Sequence, residues 1–120
     1  MADRLTSAME RLQARMLSHA SRHVTYQRGA QSVGLRATLG SSDLTIDNGT
    51  GFPLVVQSAD FIVTPSDLVI DGVPVEPAAA DRITDSGGGV FEVLEIPGGM
   101  PWRFTDPERT AMRIHTKQVQ

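Results

Sequence analysis

Two periodicities divide this chain. Leu5, Met9, Leu12 and Met16 recur at helical spacing, which predicts one amphipathic α-helix over residues 1–22. Arg4, Arg11, Arg15 and Arg22 fall on a narrow strip beside that apolar stripe. Two readings of the strip stay open. The arginines rim a packed helix with their stems buried, or they form a basic stripe for an acidic neighbour or a phosphate backbone.

Beyond the helix the period changes to two. Val24 and Tyr26 share a face, as do Leu35, Ala37 and Leu39, with Gly29 as the turn between the runs. Asn48-Gly49 is a strong hairpin cue, although Gly51 and Pro53 fit a longer loop equally well. Residues 53–70 are rich in β-branched side chains and predict two strands with a break at Thr64-Pro65. Further strands are expected around Arg82–Thr84, in "GGGVFEVLEI" and in "TAMRIHTK". In the last of these Thr110, Met112, Ile114 and Thr116 alternate with Ala111, Arg113, His115 and Lys117. The pattern predicts a mainly β fold, a small β-barrel or sandwich of about six or seven strands with an amphipathic N-terminal α-helix. The helix occupies residues 1–22 and a single barrel-like domain residues 23–120.

Composition narrows the chemistry. A chain of 120 residues buries a real core as one domain. With no cysteine, neither disulfides nor thiolate zinc sites are available. No apolar run reaches the roughly 18 residues that span a bilayer, so no membrane role is expected. The N-terminus lacks the apolar region of a secretory signal, and Asp3 and Glu10 argue against a transit peptide. The net charge of −3 conceals segregation. Residues 1–40 carry six arginines against Asp3 and Glu10, residues 41–100 carry ten acidic side chains against Arg82 alone, and the last twenty are basic again. Such blocks suit head-to-tail contact between copies, or are an unevenly charged solvated surface.

No local motif carries catalysis, and no enzyme is expected. The glycines of "DSGGGVF" precede a strand rather than a helix, so a hairpin loop is expected instead of a phosphate cradle. His19 and His23 are four apart, but they lack the glutamate of a zinc-protease helix. His115 falls on the outward face of the last strand, with no carboxylate or serine evidently placed to serve it. The acidic residues lie mostly at turns, where Asp makes local hydrogen bonds, and they form no calcium-loop pattern. No metal or cofactor is expected. Trp102, the only tryptophan, has three readings: a plug closing one end of a barrel, an interface anchor beside Arg103, or a stacking platform.

Taken as one pattern, "DFIV…DL", the proline-led turn into "DRI", "GGVFEVL", the Pro-Trp-Arg segment with "DP", and "RIHTK" resemble the small head–tail connector proteins of long-tailed bacteriophages. The likeness is most specific from Ala59 to Lys117, and the N-terminal helix with "VTYQRG" also fits. One departure is Ala80, where many relatives have glycine before the aspartate; it questions the tight turn. The resemblance implies a neck protein of the virion, assembled in the host cytoplasm. Its copies would form a ring, a hexamer or a dodecamer, joining the portal end of the capsid to the tail. The β-rich content favours a stopper over a helical adaptor. Implied partners are copies of itself, the portal or adaptor protein, the tail terminator or tail tube protein, and genomic DNA passing through the channel. Arg4, Arg11, Arg15, Arg22, Trp102, Arg103 and Arg109 are interface candidates. Asp43, Asp47, Asp67 and Asp71 are channel-facing candidates, where carboxylates would repel phosphates and let DNA slide. The competing readings are a small soluble nucleic-acid- or protein-binding β-module, and a hydrolase or sugar-binding β-domain.

Overall fold

A computed structural model describes residues 21–47, 49 and 51–120. The order is β1 (Ser21–Arg28), β2 (Gln31–Asp47), β3 (Pro53–Val63), a 3-10 turn at Pro65–Asp67, β4 (Val69–Ile70), β5 (Val73–Pro74), β6 (Arg82–Asp85), β7 (Val90–Val93), β8 (Trp102–Phe104) and β9 (Met112–Gln118). Nine strands replace the six or seven expected. The surplus among the described residues is β5 and β8, pieces of two and three residues, too short for a period of two to register. The helix expected over residues 1–22 lies outside the described residues, except that Ser21 and Arg22 belong to β1.

One antiparallel sheet dominates. β1 pairs with β2, β2 with β3, β3 with β9, β9 with β7, β7 with β6, and β6 returns to β1. The six strands therefore form a closed ring of pairings, which removes most of the open edge that a flat sheet would expose. β8 lies outside this circuit, paired with β9 alone. β4 and β5 make a small separate hairpin.

The ring interior is the core. Val24, Tyr26, Leu35, Ala37, Phe61, Val63, Ile83, Val93, Met112 and Ile114 are buried there, with Leu68 and Ile70 from the segment after β3. Each fully buried aliphatic or aromatic side chain contributes roughly 1.5–3 kcal/mol. The alternation expected for β1 and β9 holds, with Val24 and Tyr26 inward in one and Met112, Ile114 and Thr116 in the other. Leu39 departs from its expected partners and is 37% exposed; among the described residues it pairs with Phe61 of β3 and lies beyond the stretch of β2 that β1 covers.

Local chemistry explains the turns. Asp71 and Gly72 both have positive φ, at 55° and 76°, and link β4 to β5 as a two-residue turn of the kind that Asp-Gly favours. The Asn48-Gly49 ambiguity resolves in favour of the longer loop, with β2 ending at Asp47 and β3 starting at Pro53.

Candidate functional site

Three places stand out, and the longest hairpin forms the first. β1 covers β2 only as far as Thr38, and β9 covers β3 only from Ala59 onward. Asp43–Asp47 and Pro53–Gln57 therefore pair only with each other among the described residues. They project as a two-stranded ribbon about 16 Å long, at roughly 3.3 Å per residue. Directly opposed residues share a face. Leu44, Ile46, Leu54 and Val56 line one side, and Asp43, Thr45, Val55 and Gln57 the other. That second side is open, with Val55 64% exposed, and Phe52 at the tip is 78% exposed.

A polar network braces the ribbon's base. Asp60 is fully buried on β3 between β2 and β9. Arg113 Nη1 donates to Asp60 Oδ2 at 2.9 Å, to Ser42 Oγ at 3.1 Å and to the Ser41 carbonyl at 3.2 Å. Ser42 and Ser58 donate hydroxyls to the two Asp60 oxygens, and His115 Nδ1 lies 2.9 Å from Oδ1. Burial pushes the Asp60 carboxyl up, but the hydrogen bonds from Ser42, Ser58 and His115 prevail and hold it below its ordinary value. His115 lies, as expected, on the face of β9 opposite Met112 and Ile114, but the expectation that no carboxylate or serine serves it is corrected. His115 is buried, with both groups at its Nδ1. A hydrolytic relay needs the serine at the other ring nitrogen, so this geometry braces three strands together.

The third place is the β8–β9 hairpin. Trp102 and Phe104 face inward, half-buried against the core, with ring centroids 5.1 Å apart at 82°. Asp106 accepts from the Thr110 and Ala111 amides at 2.9 Å and 3.3 Å, and also from the Thr110 hydroxyl. These bonds, led by the hydroxyl, hold its carboxyl below the ordinary value. Arg109 sits in this turn at φ 59°, its guanidinium 5.3 Å from the Phe104 ring centre. Arg103 points the other way and is exposed.

The remaining candidates scatter. Arg4, Arg11 and Arg15 lie outside the described residues. Arg22 is on a strand, not a helix, and pairs with Asp85 at 2.7 Å. His23 is likewise on β1, so the helical spacing that would set it beside His19 does not extend to it. Asp43 is exposed on the ribbon and Asp47 ends β2. Asp67 lies in the 3-10 turn beyond the far end of β3. The ten steps of β3 span about 33 Å, so Asp67 and the ribbon aspartates do not share one surface. Asp71 is a turn former. The glycines of "DSGGGVF" do form the β6–β7 hairpin loop, where Asp85 N donates to the Gly89 carbonyl at 2.8 Å.

Asp81 was the acidic residue most easily misread as a turn former. It is buried and receives the Tyr26 hydroxyl, the Arg28 guanidinium at 2.8 Å and the Ala78 amide at 3.1 Å. Burial first, then Asp81, pushes the Tyr26 phenol far above its usual value, so it stays a neutral donor. Ala80 adopts φ 73° just before Asp81, so the tight turn forms despite the missing glycine.

These features describe a β scaffold with a projecting ribbon and a braced edge hairpin. The family model of phage head-tail joining proteins matches residues 2–120. The chain belongs to that family. No curated protein matches it significantly. Membership gives this head-tail joining protein its role in connecting phage head to phage tail and points to a virion component that works with other head and tail proteins. A structural part of this kind needs surfaces rather than a reaction centre. Among the described residues, no helix is long and apolar enough to cross a membrane.

Proposed function

We propose that this head-tail joining protein assembles as a ring in the phage neck, between the portal end of the capsid and the tail, and helps retain packaged DNA. Family membership over nearly the whole chain carries this reading. Two features support it: a rigid ring of strands suited to side-by-side packing, and loops and a ribbon that extend from it. The content of strands favours a stopper, seated between the portal-proximal adaptor and the tail terminator or tube. In this arrangement the tip of the ribbon, with Asp47, approaches the channel, where carboxylates repel phosphates and let DNA pass, while Asp43 nearer its base stands at the channel wall between copies. Asp67 and Asp71 would approach it from a different level.

Deletion of the gene tests the reading. The expected result is heads that fill with DNA, then leak it, and carry no tails. Heads that acquire tails normally would overturn the proposal. Electron microscopy of intact necks is expected to show a ring of this chain, with the ribbons directed inward; ribbons on the outer rim would remove the channel assignment.

A further inference from the structure

The ribbon and β8 are complementary surfaces of one chain, at positions where a single copy cannot join them. Residues 41–58 contain Asp43 and Asp47 and neither lysine nor arginine. Asp43 is exposed and has no ion-pair partner among the described residues. Across the molecule, Arg103 on β8 stands directly opposite Arg113 on β9. Like charges facing each other across antiparallel strands are destabilising unless an anion intervenes. Asp60 satisfies Arg113 Nη1, but Arg113 Nε is buried with no acceptor among the described residues. Arg103 is exposed and has no carboxylate partner among the described residues. The pair is one negative charge short.

Backbone hydrogen bonding points the same way. β8 ends the strand order, so among the described residues its outer edge is unpaired. Among the described residues the ribbon edge at Leu54–Gln57 is unpaired as well, because β9 turns to β7 at its end, where the Val119 and Gln120 amides donate to the Val90 carbonyl. An open strand edge is a template for another chain. Intramolecular closure is ruled out by geometry. Ile62, the β3 neighbour of Arg113, lies five residues from Gln57, the partner of Asp43. That is about 16 Å along the strand, and from β2 to β8 three strand spacings of about 4.8 Å are also to be crossed.

We propose that the ribbon of one copy docks along β8 of a second copy, with Asp43 meeting Arg103. Phe52 and Val55 supply apolar contact, and the exposed Met100 beside β8 receives it. Donor and acceptor surfaces differ, so each copy has one of each left to offer. A contact of this heterologous kind propagates and closes into a ring when the rotation permits. The inference rests on the ring reading above and supplies its interface.

The cysteine-free chain allows a direct test. Full-length protein carrying D43C and R103C together is oxidised, both in solution and within purified virions. A ladder of covalent oligomers is expected on a non-reducing gel, absent from either single variant. Charge reversal follows, with R103D or D43R weakening self-association about tenfold or more and the double swap restoring it. Both sites are exposed, so circular dichroism should be unchanged. Rings that assemble without a ladder would overturn this interface and leave the ring reading intact. Absence of rings in solution and in necks would overturn both. Should R103D leave rings whole but block attachment to heads or tails, the acid facing Arg103 belongs to a different protein, and the second-copy assignment falls.

Discussion

Ala80 shows how a single residue can carry strain without losing its turn. Its φ of 73° costs a side-chain-bearing residue about 1–2 kcal/mol. The Asp81 network beside it holds the turn, through Tyr26, Arg28 and the Ala78 amide. Ala80→Gly removes the strain but loosens the unfolded chain, by about 0.4–1 kcal/mol. The expected net effect is a gain of up to about 1 kcal/mol, read from urea denaturation midpoints. Asp60 is the opposite case. Asp60→Ala leaves Arg113 without its buried counter-charge and His115 Nδ1 without its carboxylate partner, and is expected to cost about 3–5 kcal/mol. The acid limb of the pH profile reports the same group. The folded Asp60 carboxyl is depressed, so its stabilisation is present above the unfolded value near 4 and is lost as pH falls through the folded value. In Asp60→Asn the midpoint should vary less between about pH 4 and pH 2 than in the parent. An equal slope in both proteins would assign the acid loss to other carboxylates. The Asp60 network was not legible beforehand, because Asp60 and His115 are 55 residues apart and meet only through the β3–β9 register.

At the level of elements, β8 and the ribbon have different dependencies. Trp102 and Phe104 anchor β8 by packing inward, while Asp106 and Arg109 stiffen the turn that follows. Trp102→Ala is therefore expected to lower stability by about 2–3 kcal/mol, below the 3–5 of a fully buried tryptophan, as measured by denaturant unfolding. A variant with unchanged stability that fails to join heads to tails would make Trp102 chiefly a docking residue. The ribbon adds little to the core, since among the described residues it pairs only with itself and supplies no buried core residue. Replacing residues 44–56 by a short turn should leave the melting temperature within a few degrees of the parent, yet abolish self-association in sedimentation. Periodicity revealed β1, β3 and β9 well. It read β2 only as the run with Leu35, Ala37 and Leu39, whereas pairing with β3 carries the strand on to Asp47. It missed β8 because three residues amid prolines show no period.

For the whole molecule, charge segregation acquires a geometry. The acidic middle block divides into buried members that staple strands, namely Asp60, Asp81 and Asp85, and exposed members such as Asp43. Only the second group is available to partners. An assembly joined by Asp43 and Arg103 across a solvent-accessible interface should loosen with salt. Raising ionic strength from about 0.05 to about 0.5 M is expected to weaken self-association several-fold, by shortening the screening length. Association that strengthens with salt would assign the interface to apolar contact instead, through Phe52, Val55 and Met100.

The amino-acid sequence alone determined the β class, the inward faces of β1 and β9, most turns, and a likeness to head–tail connectors that the family match bears out. These follow from local rules, since alternation, glycine and proline act within a few residues. Tertiary structure decided the rest. Closure of the strand circuit, the brace around Asp60, and the ribbon left over when β2 and β3 outrun their neighbours all depend on pairing between distant segments. Register sets which side chains meet, and a shift of one residue would have reversed every face.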